Sequence, residues 1–136
     1  MHALEKIHEL LKAEGILINI QPSGKHRPLQ IHSNDKVKQA GLIGHRLDYA
    51  LHKKALAALD QVVEDGLFVF ERIDSFPFLY HAETFDIMQE WISENWLNST
   101  LDEETIRRAV ELENTTEKPS EVVVHQDMHI SRLRPI

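Results

Sequence analysis

The stretch HELLKAEGILINIQPSG, His8–Gly24, holds the end of an amphipathic helix, a glycine stop and a short apolar strand. Leu4, Ile7, Leu10 and Leu11 recur at helical spacing, which predicts a helix over Ala3–Ala13. Gly15 stops it, as glycine readily does past a helix end. Ile16–Ile20 is β-branched and apolar on both faces apart from Asn19. A strand apolar on both faces is usually central and covered on both sides. Pro22 ends it.

Outward from this unit, residues 22–44 are weakly patterned, with PLQIH as a short strand and SNDKVKQAG as a turn and helical fragment. A loop this long in a small domain is functional or mobile. A second helix is expected over His45–Glu64, with Leu47, Leu51, Ala55, Ala58, Leu59 and Val62 on one face and Gly66 after it. LFVFERI reads as a strand broken by Pro77, and FLYHA as its hairpin partner or its continuation after a bend. A third helix covers Glu83–Trp96 on Phe85, Met88 and Ile92. A fourth starts at Thr100, whose spacing to Glu103 matches a capping box, and runs to about Glu113. VVVHQDMHISRL is a final strand, with Val122, Val124, Met128 and Ile130 on one face and His125, Asp127 and His129 on the other. The order α-β-loop-α-β-(β)-α-α-β predicts an α/β or α+β fold, with about four helices around a small mixed sheet.

Composition bounds the function. The 136 residues fit a single domain covering 1–136. The net charge of −7, from 22 acids and 15 bases, argues against nucleic acid, which needs a basic face, and against an anionic membrane surface. No apolar run approaches the ~20 residues of a spanning helix, and the charged N-terminus is no signal peptide. With no cysteine there is no thiolate nucleophile and no cysteine zinc site. A cytoplasmic protein is expected.

Three groups carry possible chemistry. His125, Asp127 and His129 alternate along a strand at steps of about 6.5–7 Å, and histidine with carboxylate suits zinc, manganese or iron. A solvated strand face produces the same alternation. His45, Asp48 and His52 share a helix face at i, i+3 and i+7, beside the apolar stripe, where they form a ligand or metal site, an acid–base site, or a plain polar flank. The loop Ser23–Gly24–Lys25–His26–Arg27 follows the first strand, where an anion could meet Lys25, Arg27 and backbone N–H groups. It lacks the remaining features of a P-loop. His81 borders the aromatic run Phe76–Tyr80. A pocket between those strands and the Phe85–Trp96 helix would take His45, His52, His81 and His125 as its polar groups.

ALEKIHELLKAEGILINIQPSG resembles a stretch from the back half of class I S-adenosylmethionine-dependent methyltransferases, where a helix ending in a sequence like LKPGG feeds a central strand. LKAEG stands in that place, so Ala13 and Glu14 are departures. EVVVHQDMHISRLRP is similar to the last antiparallel strand of the same fold. The resemblance is good over about 25 residues and topological beyond them. It implies a methyltransferase C-terminal-half-like fold. The family binds its cofactor with a glycine-rich loop and an acidic residue in the front half, and no G-x-G-x-G occurs here. The resemblance therefore implies a binding or assembly module, with no cofactor for this chain alone and S-adenosylmethionine only beside a separate front-half chain. The alternatives are a ligand-binding or metal-dependent enzyme domain with a histidine-lined aromatic pocket, or one half of a split methyltransferase. A homodimer is expected through Ile16–Ile20, because a strand apolar on both faces near a terminus needs neighbours on each edge.

Overall fold

The computed structural model describes residues 3–45, 47–96 and 99–136, of which 45 and 47–49 are described by their backbone alone. Among the described residues the order is α1 (Ala3–Leu10), β1 (Leu17–Pro22), β2 (Arg27–Ser33), β3 (Lys36–His45), α2 (Leu47–Glu64), β4 (Phe68–Ala82), α3 (Phe85–Asn95), β5 (Ser99–Thr100), α4 (Glu103–Thr115) and β6 (Ser120–Pro135). The fold is α+β, with four helices and a six-stranded antiparallel sheet of order β1-β6-β2-β3-β5, in which β4 also pairs with β6. The expected mixed sheet is thus corrected to an antiparallel one. Among the described residues no βαβ crossover forms, and both β1 and β2 pair antiparallel with the C-terminal strand.

The chain divides into two compact units. Unit 1 comprises Met1–Gly24, Ala50–Phe76 and Asp127–Ile136, and unit 2 comprises Lys25–Tyr49 and Pro77–Gln126. In unit 1, β1 pairs with β6 from Leu17↔Leu133 to Pro22↔Met128. The core is Leu59, Val62, Phe68 and Leu133, with Leu17 from β1 and Leu4 and Ile7 from α1 against it. The buried stripe of α2 is Leu56, Leu59, Val62 and Val63, while Leu51 and Ala55 are exposed. The expected face was therefore placed about one residue off. Aromatic Phe68 sets the true one, because it needs the broad aliphatic surface of Leu59 and Val62.

β1 is not the expected central strand. It ends the strand order, and Ile16, Ile18 and Ile20 are 42%, 46% and 54% exposed. Only the Leu17 side of β1 is packed onto the core, so one apolar face is covered and the other is not.

In unit 2, residues read as a loop form the β2–β3 hairpin. Ser33 pairs with Lys36 across a turn at Asn34–Asp35, and Asn34 takes φ 51. Asparagine tolerates that left-handed conformation, which two-residue hairpin turns require. KVKQAG is therefore strand, not helical fragment. The register shifts between Leu29 and Gln30, where Ala40 is the extra residue of a bulge. Leu29 and Ile31 of β2 pair with Val124 and Val122 of β6, and all four are buried under Phe85, Met88 and Ile92 of α3 and Ala109 of α4.

Pro77 does not break β4, which runs on through FLYHA. Proline removes one ladder donor, and among the described residues β4 pairs with a strand on one side only, an edge position where proline is tolerated. Thr100 does not cap α4. It pairs with Gly44 in β5, and Asp102 is the cap, with its carboxylate accepting from the Thr105 N–H at 2.7 Å. Thr84 caps α3 by accepting from the Ile87 N–H, and Glu113 of α4 accepts from the Phe85 N–H at 2.6 Å. Along β6, Val122 and Val124 are core as expected, but Met128 and Ile130 are only half-buried. In unit 1 the buried residues of β6 are instead Ser131 and Leu133.

Candidate functional site

In unit 2, β4 and α3 bring together a cluster of aromatic rings. Tyr80 lies 4.9 Å from Trp91 and 5.0 Å from Trp96, and Trp91 is 4.9 Å from Trp96. Phe78 is 4.9 Å from Tyr80 on its other side. The α3 spacing produces this: Trp91 sits one turn beyond Ile87, and Trp96 ends the helix as its C-cap. Arg27 completes the cluster. Its guanidinium lies 3.9 Å from the Trp96 ring centroid and donates to Ser99 Oγ at 3.0 Å, and the residue is 3% exposed. A desolvated guanidinium on an indole is held by cation–π attraction of about 2 kcal/mol. Tyr80 donates its hydroxyl proton to Gln126 Oε1 at 3.1 Å. Burial raises the Tyr80 pKa, against a smaller opposing pull from the Arg27 charge. The phenol therefore stays protonated and acts as a hydrogen-bond donor.

Beside this cluster lies a hollow of about 300 Å³, lined by Leu79, Tyr80, His81 and Ala82 of β4 and by Ile87, Met88 and Trp91 of α3. It lies where the sequence puts an aromatic pocket, between the aromatic strand and the third helix. His81 is at its edge, with Nδ1 3.2 Å from Glu121 Oε1. That carboxylate favours the Nδ1–H form of the ring. Glu121 was not picked out in the sequence.

The remaining candidates are placed elsewhere. Lys25 and His26 are exposed in the β1–β2 connection, whereas Arg27 opens β2 and is buried. The two registers account for the connection. Pro22 pairs with Met128 and Leu29 with Val124, so seven steps on one side answer four on β6. Three extra residues must be taken up there, and Gly24 at φ 85 turns the chain. His52 lies in unit 1 on α2 and is half-buried. The side chains of His45 and Asp48 lie outside the described residues, so that constellation stays an expectation. His125 belongs to unit 2, and Asp127 and His129 to unit 1. His129 borders a hollow of about 170 Å³ with Leu56, Leu59 and Phe70. Among the described residues, no three histidine, aspartate or glutamate groups converge to hold a metal ion. Nor is any helix among them long and apolar enough to cross a membrane.

The second distinctive surface belongs to β1. Ile16, Ile18 and Ile20 line one side of a strand whose outer edge carries no other strand among the described residues. Charges of both signs stand near it. Arg132 meets Glu71 at 2.8 Å and Arg72 meets Asp74 at 3.2 Å, and Arg72, Asp74, Arg132 and Ile18 line one shallow hollow. In comparisons with known proteins, no family model, no curated protein and no solved structure matches the chain.

Proposed function

We propose that the chain is a small binding or assembly module that works as a homodimer, with β1 as the joint. The observation that carries this reading is β1 itself, an end strand bearing the exposed Ile18 and Ile20, with exposed Ile16 just before it. Single exposed apolar residues are ordinary, but an aligned row on an open strand edge is an association surface unless charge or a bulge blocks it. Gly15–Gly24 contains no charged residue in a chain whose net charge is −7, so two copies meet there without like-charge repulsion. An open antiparallel edge is also complementary to its own copy about a two-fold axis, because each strand offers the other the same donors and acceptors.

The test is light scattering on purified protein. Wild type is expected at twice the chain mass of 15.8 kDa. Ile18→Lys, at a position exposed in the single chain, is expected to be monomeric with an unchanged circular-dichroism spectrum. A stable wild-type monomer at micromolar concentration overturns the proposal.

The methyltransferase resemblance belongs to the same reading. It rests on the stretch Ala3–Gly24 and the last strand of the sequence alone. The module is not an autonomous methyltransferase, because the stretches that match carry no cofactor-binding loop. Calorimetry with S-adenosylmethionine is expected to give no binding to this chain alone, and micromolar binding would contradict that. Binding that appears only with a separate front-half chain would favour a split enzyme.

A further inference from the structure

The hollow between β4 and α3 has a shape that narrows its occupant. Successive strand residues point to opposite faces of a sheet. Four consecutive residues, Leu79–Ala82, line one hollow only if it runs along the edge of the strand, where the backbone itself is exposed. That edge is open: among the described residues β4 hydrogen-bonds to β6 and to no other strand. Opposite it stand Ile87, Met88 and Trp91, with Ile87 50% and Leu79 40% exposed. An open strand edge facing an apolar helix across a trough is the geometry in which an extended peptide adds as a further strand. Main-chain bonds then supply affinity, and alternate side chains enter the trough.

Charge narrows the peptide further. α3 carries Asp86, Glu90 and Glu94, all exposed, and no basic residue. Glu90 lies three residues from Ile87, and Glu94 three from Trp91, so the acids run beside the apolar stripe. The lip of the trough is therefore acidic, and an occupant with basic side chains is favoured over an acidic one.

We infer that the groove between β4 and α3 is a docking site for an extended peptide segment that alternates apolar with basic side chains and pairs through its backbone with Leu79–Ala82. The site is separate from β1, so its failure would not bear on the proposed dimer.

The probe is an acetylated, amidated hexapeptide alternating valine with lysine, titrated into the full chain and followed by amide resonances and tryptophan fluorescence. Three controls accompany it: the same peptide with glutamate for lysine, the lysine peptide N-methylated at alternate residues, and the small aromatic 1-naphthol. The lysine peptide is expected to shift alternate amides within Leu79–Ala82 and to bind at least about tenfold more tightly than the glutamate peptide. N-methylation of the paired amides should abolish binding. Ile87→Asp, at an exposed position, should weaken it about tenfold or more, while Val110→Asp on α4 should leave it unchanged. No shift up to about 1 mM peptide, the weak end of the affinity scale, overturns the inference. So does equal binding of the lysine and glutamate peptides, undiminished binding after N-methylation, or binding of 1-naphthol alone.

Discussion

Gly41 shows how closely a single position can bind two elements. A Cβ added there would run into the Thr105 side chain, so β3 and α4 approach more closely than any other residue type allows. Gly41→Ala is expected to cost about 1–3 kcal/mol through overpacking. Thr105→Ala in the same chain should return part of that loss, because it removes the atoms the new methyl meets. Additive losses in chemical denaturation would show that the two residues are not coupled. Next to this contact, the Asp102 cap adds a pH dependence. Its carboxylate accepts hydrogen bonds from Thr105, backbone first, and these lower its pKa from the ordinary value. A depressed folded-state pKa means that the stabilisation is complete above the unfolded value, about 4, and is lost as pH falls through the folded one. Asp102→Asn keeps a capping oxygen without the charge. Melting curves from pH 7 to below 3 should therefore show wild type losing ground relative to the variant only at the acid end. Parallel curves would remove the role of the charge. At this scale the sequence was legible where one residue type has one use, as at the hairpin turn, whereas Gly15 was expected to stop a helix that in fact ends at Leu10. It was not legible at Arg27. Its neighbours Ser23–Gly24–Lys25–His26 read as an exposed basic loop, but Arg27 already belongs to β2 and lies against Trp96. Nothing local announces a stacking partner 69 residues away.

Among the elements, helices were more legible than strands, for a physical reason. α3 buries Phe85, Met88 and Ile92, the stripe that a period of 3.6 selects. Its ends are set locally too: Thr84→Ala should cost about 1 kcal/mol, as loss of an N-cap side chain usually does. A loss indistinguishable from zero would mean that Glu113, on the Phe85 N–H, holds the helix start by itself. Strands were harder because their meaning depends on distant partners. β3 is polar and charged at its start, and its seven-pair register with β2 is what makes that part a strand. Pro77 looked like a stop because its missing donor matters only on a paired edge, and which edge is paired is a tertiary fact. β1 was recognised as a strand, but its place was misjudged: apolar residues on both faces can mean burial on both faces or one face left for association. The open edge of β4 and the exposed row on β1 are the same phenomenon on two elements.

For the molecule as a whole, four helices around one small sheet came from the element order, whereas the antiparallel pairing of that sheet and the two-unit organisation did not. β4 and β6 each contribute residues to both units, and no linker of distinct composition marks the division. The candidate site was partly legible. Of the four histidines expected in an aromatic pocket, His81 alone lines the hollow beside α3 among the described residues, while Glu121 and the trough's course along a strand edge required the pairing of β4. The net charge of −7 keeps separate copies apart in general, which makes the uncharged run Gly15–Gly24 the more telling. Because the chain has no cysteine, one introduced thiol reports on one place. Ile18→Cys and Ile20→Cys, treated with a short bis-maleimide at micromolar protein, test the β1 joint most directly, with Val110→Cys on α4 as the control. Efficient linkage into dimers at both β1 positions and none at Val110 is expected if two copies meet edge to edge along β1. Monomers at all three positions, or linkage at Val110 as strong as at Ile18, would contradict it.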